Sequence, residues 1–254
     1  MKNPSPNIIF GIHPLLEALK FSKSRILKIY LLNRKKGKEI EKIIHLAKVR
    51  GIKFKYVDLK TFQQICPGEK HQGIAGLVSS KELVSVEEII EISFNNEPNP
   101  VLVLLDHIQD PRNLGSIIRS AEVLGVSGVI MPKKRAADLT PTVLKTSSGA
   151  LEYMPVSQVS NTLNAIRFFK EKGFWIIGAK ESSSKCCFTV DLDRPVALVL
   201  GGEGKGFRPL IEKNCDEVIS IPQEGHVNSL NVSCAASILF YEIIKQKKLR
   251  QSHK

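Results

Sequence analysis

The sequence predicts an α/β protein in two parts, a small N-terminal α/β segment followed by a larger one built on a parallel sheet. Three observations carry this. From residue 101 onward, short continuous apolar runs ("VLVLLD", "GVIM", "FWIIGA", "VALVLGGE") alternate with helical stretches, the pattern of parallel strands covered on both faces. Near residues 83–99 the composition changes, and "SFNNEPNP" has the Asn/Pro/Ser character of a connection. The charge also divides there: residues 1–82 carry 17 Lys/Arg against 6 Asp/Glu, and residues 83–254 carry 20 against 19.

In the N-terminal part, "RILKIYLL" (25–32) reads as a strand and "KEIEKIIHLAKVRG" (38–51) as an amphipathic helix. Ile40, Ile43, Ile44 and Ala47 share one face of that helix, and Gly51 suits its C-cap. "KFKYVD" and "GIAGLVS" add two strands, and "VSVEEIIEI" a short helix before the connection. Beyond it, "VLVLLD" (101–106) is a buried strand and "DPRNLGSIIRSAEVLG" a helix ending at Gly125. "GVIM" is a strand, "LTPTVLKTSSGA" mostly helical, and "FWIIGA" (174–179), "VALVLGGE" (196–203) and "EVISIP" (217–222) are strands. "LNVSCAASILFYEIIKQKK" closes the chain as a long helix.

With 254 residues, 43% hydrophobic and 24% charged, the chain has the composition of a soluble globular protein. No apolar run is long enough to span a bilayer, and the N-terminus has no signal-peptide core, so a cytoplasmic protein without a membrane partner is expected. The five cysteines form no CxxC pair and no zinc-like grouping with histidine, so neither a metal nor a disulfide framework is expected. The net charge of +12 sits almost wholly in residues 1–82, in clusters such as "NRKKGK" (33–38) and "KVRGIKFK" (48–55). A solvated basic face is one reading. Its lopsided placement favours the other, a polyanion held through its phosphates.

Several segments could carry chemistry. "LGGEGKGF" (200–207) joins a strand to a helix, where open α/β sheets bind ligands. It is neither a P-loop, since Gly206 follows Gly204-Lys205, nor a dinucleotide fingerprint, since residue 207 is Phe. Its glycines suit close backbone approach to a ligand, and Glu203 places a carboxylate there. In "DHIQDPRNLGSIIRSAEVLG", Asp110-Pro111 is an ordinary helix start and Asn113 could be a plain first-turn polar residue. Arg119, among mostly apolar neighbours, either snorkels from a buried face or serves a phosphate. "TSSGALEYMPV" (146–156) is a third small-residue turn. In "HVNSLNVSCAASILF" (226–240), Asn228, Ser229, Asn231 and Ser233 crowd a helix start, as caps or as a chemical site. His71, His107 and His226 have no partner at metal or triad spacing, and no catalytic role is assigned to them.

Three co-linear segments, "DPRNLGSIIRSAEVLG", "LVLGGEGKGF" and "ISIPQEGHVNSLNVSCAASI", resemble the motifs of the SpoU (TrmH-like) RNA ribose 2′-O-methyltransferases of the SPOUT class. Together they span most of residues 101–244. "FGIHPLLEAL" and "HQGIAG" resemble the substrate-binding extension of the bacterial enzymes that methylate a guanosine ribose in 23S rRNA. The resemblance implies a ribosomal-protein-like RNA-binding domain (1–82), a linker (83–99) and a catalytic domain with a trefoil knot (100–254). It further implies S-adenosyl-L-methionine as methyl donor, RNA as substrate and a homodimer. The family's polar functional positions match Asn113, Arg119, Glu203, Ser229 and Asn231. Its cofactor loops match Gly201, Gly202, Ile221 and Leu230. A tRNA or different rRNA target within the same family is the alternative, and a non-catalytic RNA-binding protein is the alternative of another class. The small run from Ser233 to Ser237 is assigned to packing.

Overall fold

A computed structural model of the chain describes residues 7–20, 26–33, 35, 37–66, 71–79, 81–202, 206–227 and 229–251. The N-terminal elements are β1 (Asn7–Phe10), α1 (Ile12–Lys20), β2 (Ile26–Leu32), α2 (Lys38–Val49), β3 (Lys53–Val57), α3 (Leu59–Ile65) and β4 (Ile74–Val78). They are followed by α4 (Val86–Asn96), β5 (Val101–Asp106), α5 (Pro111–Val123), β6 (Gly128–Pro132), α6 (Pro141–Thr146) and α7 (Ala150–Tyr153). Next come β7 (Val156–Val159), α8 (Thr162–Glu171), β8 (Trp175–Ala179), β9 (Val196–Gly201), α9 (Pro209–Glu212), β10 (Glu217–Ile219) and α10 (Val232–Gln251). Two compact units result, one of residues 1–81 with 139–153 and one of residues 82–138 with 154–254.

The first unit is a mixed sheet in the order β1-β4-β2-β3, with β2 and β3 parallel and β4 antiparallel to both of its neighbours. Strand alternation decides its layers. Ile29 and Leu31 of β2 are buried, while Tyr30 and Leu32 turn to the other face and pack around Phe62 of α3. Helix α2 buries Ile40, Ile43 and Ala47, and Ile44 is half-buried at the edge of that stripe. Gly51 follows its C-cap with a φ of +66°, the left-handed geometry expected from sequence. The "HQG" segment is structural in this unit. The Gln72 side chain accepts from the Ile12 N–H at the start of α1 (2.8 Å), and His71 Nδ1 accepts from the Gly73 N–H (3.0 Å) while its ring packs on Phe62. Helices α6 and α7 belong to this unit: α6 lies against β1, and the Lys145 ammonium sits 4.5 Å from the Phe10 ring centroid.

The second unit is a six-stranded sheet in the order β10-β8-β9-β5-β6-β7, and every pairing is parallel. Strand β5 is buried at all six positions, which is why it reads as an unbroken apolar run. The α4 helix runs to Asn96, through the "SFNN" that composition assigned to a connection. The reason is local. Ser93 is fully buried, and its hydroxyl donates to the Ile89 carbonyl one turn back (2.6 Å), so a polar residue is accommodated inside the helix. Ile89 and Ile90 join the core cluster with Phe169, Phe174 and Phe207. "EVISIP" contributes only Glu217–Ile219 as strand. Helices α1, α3 and α8 were not anticipated from the sequence. Among the described residues no helix is long and apolar enough to cross a membrane.

Candidate functional site

The site lies at the carboxyl ends of the strands in the second unit, where three loops meet. The β9 strand ends at Gly201 beside Asp106, the last residue of β5. Beyond it Gly202 and Gly206 pair across a tight loop, with the Gly206 N–H donating to the Gly202 carbonyl (3.1 Å). Space there is minimal. A Cβ built on Gly201 would stand 2.1 Å from the Gly206 carbonyl carbon and 2.2 Å from the Phe207 nitrogen, and one on Gly202 would stand 2.4 Å from the His107 oxygen. These contacts are with backbone, which cannot rotate away as a side chain would.

The loop is fastened at its far end. Phe207 is buried in the core, and Arg208 reaches back to Asp106, which is fully buried. Arg208 donates from Nη2 to Asp106 Oδ1 (3.1 Å), from Nε to Oδ2 (3.3 Å), and from Nη2 to the Thr162 hydroxyl (3.1 Å). His107 Nδ1 lies 3.1 Å from Asp106 Oδ1. The histidine that sequence spacing left without a partner therefore has a carboxylate beside it. Asp106 and Arg208 were missed as well. The available signal was a lone Asp closing a wholly apolar strand, since a carboxylate with no exposure must find cationic or N–H partners.

A cavity of about 380 Å³ opens beside this loop, within the ~300–1,000 Å³ range of small-molecule sites. Gly201, Gly202, Ile221 and Leu230, the four positions matched to cofactor loops, all line it, as does Ser229. Leu200, Ile219 and Leu239 supply apolar wall, and Glu181 and Gln223 supply polar groups. Lys180 also lines the cavity, with its charge matched by Glu212 at 2.8 Å. An amphipathic small molecule with both apolar surface and hydrogen-bonding groups fits this lining.

Asn113 and Asn231 are brought together: Asn231 Nδ2 donates to Asn113 Oδ1 (3.1 Å). At the same time Asn231 Oδ1 accepts from the Ser233 N–H (2.9 Å) and hydroxyl (2.6 Å), capping the start of α10. Capping and siting are done by one side chain. Ser237 donates to the Ser120 hydroxyl (2.8 Å), joining the small run of α10 to α5. Arg119 is exposed on α5 and not among the cavity residues, and no side-chain hydrogen bond or ion pair joins it to another described residue. It lies on the stripe of Arg112 and Val123, seven and four residues away. Glu203 and Asn228 lie outside the described residues. Burial pushes the Cys215 thiol up to about 12, so it stays protonated at neutral pH and is no nucleophile there.

A parallel sheet with a glycine-lined cavity at its carboxyl edge, following a basic α/β unit in the chain, has the architecture of an open α/β ligand-binding domain. The chain belongs to the SpoU rRNA methylase family: that family's profile matches residues 100–241, and the profile of the RNA 2′-O ribose methyltransferase substrate-binding domain matches residues 8–84. It is similar to the 23S rRNA (guanosine-2′-O-)-methyltransferase RlmB of Shewanella oneidensis, 36% identical over 95% of this chain and 98% of the relative. It is also similar to the putative TrmH family tRNA/rRNA methyltransferase YacO of Bacillus subtilis, 36% identical over 94% and 95%. The fold is shared with the SpoU methyltransferase AviRb of Streptomyces viridochromogenes in complex with AdoMet (TM-score 0.78, 24% identity, 95% of this chain and 90% of that one). The chain is thus an RNA 2′-O-methyltransferase of the SpoU family.

Proposed function

We propose that this enzyme methylates the ribose 2′-hydroxyl of a guanosine in 23S rRNA. The observation that carries the reading is the cavity itself. It gathers the β9 loop, the segment after β10 and the start of α10 at one place, beside the Asn113–Asn231 hydrogen bond. Gly201, Gly202, Ile221 and Leu230 hold S-adenosylmethionine in this reading. When bound, it would supply an activated methyl group on a sulfonium, with the ribose 2′-oxygen as acceptor and a neutral thioether as leaving group. The chain's task is to align a weakly acidic hydroxyl and stabilise it as its proton departs. Arg119 holds the target nucleotide's phosphate and favours the developing negative charge, while itself remaining protonated. Asn113, Ser229, Asn231 and Glu203 orient the ribose or the arginine. The implied trefoil knot belongs to this reading as part of the family resemblance.

The active form in this account is a cytoplasmic homodimer. Cys234, Ile238 and Tyr241 are exposed at helical spacing on α10, and Val123 is 70% exposed on α5. Apolar stripes of this kind call for a partner. Arg119, on the Val123 stripe, then lies at the contact between copies. Residues 1–82 supply the RNA grip and residues 100–254 carry the chemistry, while α4, between them in sequence, packs into the core of the second unit. Because residues 139–153 cluster with residues 1–81, charge substitution tests that grip more cleanly than truncation at residue 82.

Arg119→Lys keeps the charge and loses the planar fork. Its turnover is expected to fall on the order of 10²-fold, as when one aimed donor is lost from an active site, with S-adenosylmethionine affinity unchanged by calorimetry. Full turnover in that variant would remove Arg119 from the positioning role.

A further inference from the structure

The catalytic unit carries a cluster of positive charge that neither the cofactor cavity nor the N-terminal unit uses. Lys133, Lys134 and Arg135 follow β6 directly, and all three are exposed. None of the three side chains has a hydrogen bond or ion pair with another described residue, although three adjacent cations repel one another at close range. The turn is held in place by its backbone. The Lys133 N–H donates to the Val159 carbonyl (2.9 Å), and the Ala137 N–H donates to the Ile108 carbonyl (2.8 Å) in the loop that leads to Asn113. Arg135 has a φ of +60°, a conformation that costs a non-glycine residue energy. Beside the turn is a groove of about 560 Å³ that runs along β7 and past its end, lined there by Lys133 with Gln158, Asn161, Asn164 and the partly buried ring of Phe168, and farther along by Glu87 at the start of α4.

Placement gives this cluster a use. The cofactor cavity lies at the ends of β8, β9 and β10, the basic turn at the end of β6, and the Lys133 part of the groove at the end of β7. All three occupy the carboxyl edge of one sheet. At about 4.8 Å per strand, β9 and β7 are separated by roughly 14 Å, a distance that a few nucleotides span. Phosphates would meet exposed cations at the turn, and a base would meet amide side chains and an aromatic ring in the groove.

We propose that Lys133, Lys134 and Arg135, with the adjoining groove, hold single-stranded RNA next to the target nucleotide, so that the catalytic unit grips substrate itself. This rests on the methyltransferase reading above for its substrate. The test compares wild type with a Lys133→Ala/Lys134→Ala/Arg135→Ala variant, using fluorescence anisotropy with a short labelled single-stranded RNA across a salt series. Calorimetry with S-adenosylmethionine runs in parallel. The variant is expected to bind RNA on the order of tenfold more weakly, and its log–log salt slope to be shallower by roughly 2, at ~0.7 for each phosphate no longer neutralised. Cofactor affinity should be unchanged, and Lys133→Arg/Lys134→Arg should retain RNA binding. Unchanged affinity and slope would overturn the proposal, as would lost cofactor binding, which would make the turn a structural element. Failure of the wild type to bind S-adenosylmethionine would instead strike the methyltransferase reading, leaving the RNA comparison legible.

Discussion

Gly201→Ala is expected to abolish measurable S-adenosylmethionine binding and methyl transfer together. The added carbon would stand 2.1 Å from the Gly206 carbonyl carbon and 2.7 Å from its Cα, so the β9 end and the returning loop must move apart. Overpacking of well-packed cores typically costs about 1–3 kcal/mol, and this contact is tighter because both sides are backbone. The displaced segments are those that line the cavity, so the damage is to its shape as well as to stability. Gly225→Ala is the control, since its Cβ would enter open space. Calorimetry on both variants checks the prediction. Retained affinity in Gly201→Ala would show that the loop does not form the cofactor's wall.

Arg208→Ala is expected to lower stability more than any other exposed-residue change in this unit. Arg208 is half in solvent, whereas Asp106 has no exposure, so removing the guanidinium leaves a buried carboxylate with His107 (3.1 Å) and the residue-208 backbone N–H (3.4 Å) as its remaining close partners. Breaking such a pair costs on the order of 3–5 kcal/mol. The lower end applies because water reaches the guanidinium side. About 3 kcal/mol corresponds to roughly 6–12 °C in Tm for a chain of this size. Adding Asp106→Asn should recover part of the loss, because the uncompensated charge is then gone. Scanning calorimetry of the single and double variants measures both. A single variant with the parent's Tm would show that the ion pair holds nothing.

Much of the fold was legible because it rests on local pattern. Strand β5 has no exposed position, and its six residues announce burial without reference to the rest of the chain. Helix α2 shows its buried stripe in the same way. Helices α3 and α8 are short and begin at side-chain caps, Asp58 on the Thr61 N–H and Asn161 on the Leu163 N–H, a signal easily taken for a loop. The place of residues 139–153 was hidden for a different reason. That residues 139–153 cluster with residues 1–81 is decided by tertiary contact, which no periodicity encodes. In the site, the glycine loop and Asn231 stood out as unusual compositions. Asp106 and Arg208 did not, because an ion pair between residues 102 positions apart leaves only a lone Asp at the end of an apolar strand, with nothing near it in sequence to name its partner.

The central claim is methylation of one ribose in 23S rRNA by this chain. It is tested most directly by depleting the protein in its own cell and mapping 2′-O-methyl groups across rRNA and tRNA. Purified protein and S-adenosylmethionine are then added back to the RNA. One guanosine of 23S rRNA is expected to lose its methyl on depletion and to regain it in vitro. Loss confined to a tRNA position, or no lost position at all, would contradict it.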